Sequence, residues 1–72
     1  MYDNAQNVFE VQTALRYLSE TDKVIPLITP DGVFGSETTE AVLLAQEFFS
    51  LPRTGVVDFD TWEVLFDHYF NG

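Results

Sequence analysis

Seventy-two residues suffice for one domain with a modest core, because a short chain hides a smaller share of its surface than a long one. Three basic against twelve acidic residues leave a formal charge of -9, which repels nucleic-acid backbones and anionic lipid. No apolar run approaches the roughly 20 residues of a membrane span, so neither a nucleic-acid partner nor membrane insertion is expected. The absence of cysteine rules out a disulfide framework and thiolate zinc, while 46% hydrophobic and 15% aromatic content specify a packed globule.

The stretch from Met1 to Asn7 is polar and lacks the basic-then-apolar layout of a secretory leader, so an export signal is expected outside this chain. Residues 1–7 read as a polar N-terminal segment and 8–70 as one domain. Val8, Val11, Leu15 and Leu18 recur at spacings of three and four, which predicts a first helix from about Ala5 or Val8 to Ser19. Asp3, Asn4 and Asn7 are equally available as its N-cap. A charged turn over 20–23 leads into Val24, Ile25, Leu27 and Ile28, where Pro26 and Pro30 forbid a helix and favour an extended segment laid on the core.

Asp31-Gly32 predicts a turn and Gly35 a second bend, with Val33 and Phe34 between them. A second helix starts at Gly35 or Ser36, carries Glu37 and Glu40 in its first turn and runs to Phe49 or Ser50. Its body, 41–45 followed by Phe48 and Phe49, is apolar on nearly every side, which predicts the buried centre of the domain. After a connector over 51–55 and the β-branched pair Val56-Val57, Asp58 caps a third helix. There Trp62, Leu65, Phe66 and Tyr69 form one apolar face, and the helix is expected to end near Phe70, with Asn71 and Gly72 as stops. The fold class is therefore all-α, a small three-helix bundle with glycine-turn connectors. Asp31-Gly32-Val33 and Thr54-Gly55-Val56-Val57-Asp58 echo one another before successive helices, over too short a stretch to count as a repeat.

The chemistry-bearing residues point away from catalysis. His68 is the only histidine and reads as a surface residue at the last helical turn. No His-Glu-x-x-His pattern or nucleophile turn occurs, and the acids Asp3, Glu20, Asp22 and Glu47 read as solvated charge. Asp58-Phe59-Asp60 lacks the twelve-residue loop of a calcium site. No catalytic residue, metal or cofactor is expected. Gln12 and Gln46 lie near apolar stripes, where a buried amide must find partners, and loop backbone is the expected one. Phe34 is expected to plug the core, so that Phe34→Ala would cost about 3–5 kcal/mol. Asp58 and Thr61 occupy N-cap and N3 positions, and Asp31 either bonds nearby amides or accepts bonds from a ligand. Trp62 belongs to the core rather than to a sugar-stacking platform, and Tyr2, Tyr17 and Tyr69 are candidates for an exposed rim.

Three ordered blocks carry a resemblance. Val8, Val11, Gln12 and Leu15 form a Val-x-x-Val-Gln-x-x-Leu helix. Asp31-Gly32-Val33-Phe34-Gly35 stands in register with Thr38, Ala41 and Val42. Leu51, Pro52, Thr54, Gly55, Val57, Asp58, Thr61, Trp62 and Leu65 complete the set. Over these blocks the chain resembles the three-helix peptidoglycan-binding domains of the first type, departing from them at Ser19 and Ser50, where glycine is usual. It departs again at Ala45, where the family usually has phenylalanine, and Phe48 or Phe49 is expected to refill that volume. The resemblance implies a non-catalytic module that targets a linked hydrolase or other host protein to bacterial cell wall or spore. It implies binding to the stem peptide or glycan of peptidoglycan, near the turn over 31–38 and the start of the third helix. The candidate ligand-binding residues are Asp31, Phe34, Thr38, Thr54 and Asp58. The alternative is a protein-interaction or structural domain of the same fold.

Overall fold

The computed structural model describes residues 5–71 and consists of three helices, α1 (Ala5–Thr21), α2 (Ser36–Phe48) and α3 (Phe59–Asn71), with no strand among the described residues. Asp3 and Asn4, two of the expected caps, lie outside the described residues, as do Tyr2 and Gly72. Asn7 falls inside α1 and so is not its cap.

The centre of the bundle is α1, not α2. Both other helices pack against α1, whose Val11, Ala14, Leu15 and Leu18 are completely buried. Around them close Ala41, Val42 and Ala45 of α2 and Leu65 and Phe66 of α3. Each fully buried leucine contributes about 1.5–3 kcal/mol relative to exposure. The continuous apolar run of α2 misleads because it mixes two fates. Ala41, Val42 and Ala45 face inward, Leu43 and Leu44 are half-buried, and Phe48 faces solvent. A helix on the rim of so small a core cannot hide its whole circumference.

The proline-bearing segment behaves as its sequence dictates: Ile25 and Ile28 enter the core while Val24 and Leu27 stay outside. Phe34 does not. It remains 36% exposed and takes no part in the core cluster, because the bends on either side of it carry it over the surface instead of into the bundle. Of the two residues expected to compensate for Ala45, Phe49 packs against the core and Phe48 does not.

Helix ends account for two more features of the sequence. The Ser50 amide donates to the Glu47 carbonyl at 3.1 Å and the Leu51 amide to the Gln46 carbonyl at 2.8 Å, closing the last turn of α2 as a Schellman motif. That motif needs a left-handed residue, and Ser50 supplies it at φ 61, which explains why the family prefers glycine there. At the start of α3, Asp58 Oδ1 accepts the Thr61 amide at 2.9 Å, the predicted cap. By contrast α2 begins at Gly35 with no side-chain cap, and only Glu37 of the two expected acids stands in its first turn.

Tyr17 and Tyr69 do not form an exposed rim. Both are half-buried, packed edge to face across α1 and α3 with centroids 5.4 Å apart. Nor is His68 a free surface residue. Its ring lies 5.6 Å from Tyr17 and 6.0 Å from Phe49, and its Nε2 is buried without a hydrogen-bond partner among the described residues.

Candidate functional site

Gln12 and Gln46 are fully buried, and each organises the loop that precedes the next helix. Gln12 Oε1 accepts the amides of Asp31 and Gly32, both at 2.9 Å. Its Nε2 donates to Asp31 Oδ1 at 3.0 Å, to the Val33 carbonyl at 2.9 Å and to Thr38 Oγ1 at 2.9 Å. Gln46 repeats the arrangement: Oε1 accepts the amides of Thr54 and Gly55 at 2.9 and 3.0 Å. Its Nε2 donates to Thr54 Oγ1 at 3.1 Å, the Val56 carbonyl at 3.0 Å and Thr61 Oγ1 at 3.0 Å. Two loop amides aimed at one end of each side chain and a loop carbonyl at the other fix which end carries oxygen.

The two loops therefore correspond position by position. Asp31 answers to Thr54, Gly32 to Gly55, Val33 to Val56 and Thr38 to Thr61. Both glycines take positive φ, 81 at Gly32 and 75 at Gly55. The echo in the sequence is a structural repeat after all, and its signal was the common Gly-x-x-x-x-x-Thr spacing together with one buried glutamine per loop. Sequence reasoning assigned both glutamines to loop backbone, which holds, and missed that the threonines complete the same clamps.

Among the candidate ligand residues, the structure joins Asp31 to Thr38 through Gln12, and Thr54 to Thr61 through Gln46. Thr38 is buried, so its hydroxyl is occupied by the clamp. Asp31 is exposed, and its Oδ1 also accepts the Val33 amide at 2.9 Å. That backbone bond, followed by the Gln12 side chain, holds the Asp31 carboxyl below its ordinary value. Asp58 is lowered in the same way, by the Thr61 amide first and the Thr61 side chain second. Asp31 and Thr38 share an open hollow of about 350 Å³ with Thr29, Ser36 and Glu37, whereas Phe34, Thr54 and Asp58 do not line it. Chemically that hollow offers carboxylate and hydroxyl oxygens, suited to amide, amine or hydroxyl donors. No group of three or more His, Cys, Asp or Glu side chains among the described residues is placed to hold a metal ion. None of the described helices is long and apolar enough to cross a membrane.

Helix, clamped loop and helix, twice over with the middle helix shared, define a small all-α domain whose loops are held rigid from inside. The chain belongs to the family described as "Putative peptidoglycan binding domain", whose model matches residues 4–65. No curated protein and no solved structure matches the chain.

Proposed function

We propose that this domain is a non-catalytic module that binds peptidoglycan and so holds a host protein or linked hydrolase at the bacterial cell wall or spore. The family match over residues 4–65 carries the reading. The organisation proposed is a polar segment over 1–7 followed by the binding domain over 8–70. Tethering to an insoluble polymer multiplies encounters between wall and partner domain, so a weak module is sufficient.

The hollow beside Asp31 is the proposed contact face. Asp31 Oδ1 serves Gln12 and the Val33 amide, leaving Oδ2 for a ligand donor, and Ser36 and Glu37 stand beside it. Phe34, a third exposed near this turn, is proposed as an apolar contact. Thr38, Thr54 and Asp58 enter the reading as residues that hold the two loops in shape.

Co-sedimentation with insoluble, teichoic-acid-free peptidoglycan tests the proposal. Binding is expected to be weak and to strengthen as salt rises to about 0.15 M, where the Debye length falls to roughly 8 Å and repulsion from the chain's acidic excess fades. Asp31→Asn, which keeps an oxygen for the Val33 amide, is expected to weaken sedimentation more than Glu63→Gln on α3. A folded domain that never sediments would favour a protein-interaction role for the same fold.

A further inference from the structure

The three cationic side chains are used unequally. Arg53 Nη1 pairs with Glu47 Oε1 at 3.4 Å, while Arg16 and Lys23 make no ion pair among the described residues. Both of these line one open hollow of about 390 Å³, whose lining also includes Pro26 and Leu27. Arg16 Nη1 donates a long bond of 3.5 Å to the Ile28 carbonyl. That contact steadies the guanidinium against the extended segment and leaves its other N–H groups to solvent. Leu27 is 66% exposed, so an apolar surface stands open beside two unpaired cations.

In a chain of net charge -9, an anion approaching most of the surface meets repulsion. Among the described residues Glu20 is the only acid lining this hollow, so the local balance there is positive. Like the Asp31 hollow, this one is lined from α1 and from the extended segment. Arg16 lies one helical turn beyond Gln12 on α1, a rise of about 6 Å, and Leu27 lies just before Thr29 in the same extended segment. An extended peptide covers that rise in about two residues.

We propose that Arg16 and Lys23 receive the terminal carboxylate of a peptide, with its small apolar end residue on Pro26 and Leu27 and its body running toward Asp31. The proposal rests on the peptidoglycan reading and names the free carboxyl end of the stem peptide as the part recognised. A single carboxylate suits two cations flanked by Glu20, whereas a polyphosphate strand would set its further charges against the acidic surface.

NMR titration of the full chain with N-acetyl-D-alanyl-D-alanine, and with the same dipeptide as its C-terminal amide, tests it. The acid is expected to bind at least about fivefold more tightly than the amide, with shifts at Arg16, Lys23 and Leu27. Lys23→Gln, at an exposed side chain, is expected to shrink the preference, and Arg16→Gln with Lys23→Gln to abolish it at unchanged melting temperature. Equal binding of acid and amide, binding of neither up to about 20 mM, or a preference that survives the double substitution would overturn it. Displacement of the dipeptide by glycerol phosphate at lower concentration than by the acid itself would do the same. Sedimentation separates the two readings. A double variant that still sediments like the parent, together with equal acid and amide binding, ends this inference and leaves the peptidoglycan reading standing. A parent that never sediments ends the latter.

Discussion

Replacing Gln46 by leucine removes the polar end of a fully buried side chain and keeps most of its volume. The amide engages five partners, but two N–H bonds and two accepted bonds are the most it can fully satisfy. At a net 0.5–1.5 kcal/mol each, four bonds total about 2–6 kcal/mol. The exposed Thr54 can turn to water, whereas the buried Thr61 hydroxyl loses the donor it accepts from and keeps only its bond to Asp58, which places the expected loss near 3 kcal/mol. A domain of this length has roughly 4–11 kcal/mol in total, and 1 kcal/mol moves its melting temperature by about 4–8 °C. Circular dichroism at 222 nm is therefore expected to show Gln46→Leu melting about 12–24 °C below the parent. Gln46→Glu separates hydrogen bonding from shape. It is nearly isosteric, but its ionised carboxylate faces the Val56 carbonyl with no hydrogen to donate, so a comparable loss is expected at pH 7. A melting temperature within about 4 °C of the parent for both variants would refute the clamp as a source of stability.

Ser50→Gly is expected to stabilise the domain by about 0.5–1 kcal/mol, seen as a rise of several degrees, because glycine takes φ 61 without strain. Gly55→Ala is expected to lower stability by about 1–2 kcal/mol in urea titration, since the new Cβ would combine φ 75 with a 3.3 Å approach to Thr39 Cγ2. Phe34→Ala is expected to cost under about 1.5 kcal/mol, well short of the loss of a core ring, with a thermal melt as the check. Asp31 and Asp58 have lowered folded pKa values, so their contribution is fully present above the unfolded value of about 3.9 and is lost as pH falls through the folded value. Across pH 5 to 2, Asp31→Asn and Asp58→Asn are each expected to show a smaller drop in melting temperature than the parent, and an unchanged acid slope would count against both carboxylate bonds.

Helix placement was legible because periodic leucines and valines, two prolines and an aspartate cap all speak locally. The extents follow to within a few residues, and Asp58, Ile25 and Ile28 do what their neighbours in sequence dictate. Rank within the bundle was not legible. Whether α1 or α2 lies at the centre depends on which helix packs more extensively against both others, and the richer apolar composition of α2 pointed the wrong way. Phe34 failed for a related reason, since the direction of a side chain between two bends depends on the backbone path and not on its own hydrophobicity. For the candidate site, the motif located Asp31 and Thr38 beside one hollow, but it could not tell a residue that faces a ligand from one held by a glutamine two helical turns into α1. The hollow at Arg16 and Lys23 depends on how the proline segment runs back along α1, and no motif marks it.

Because α2 supplies Thr38 to the first clamp and Gln46 to the second, the two loops are fastened to opposite ends of one rod. Fraying of that rod from either end releases a loop, and the freed loop exposes the helix beside it. Amide hydrogen exchange should accordingly reveal one unfolding unit, in which the Gly32 and Gly55 amides open together with the middle of α2. Fragments cut within α2 should have no independent fold, so the domain is indivisible despite being built from one device used twice.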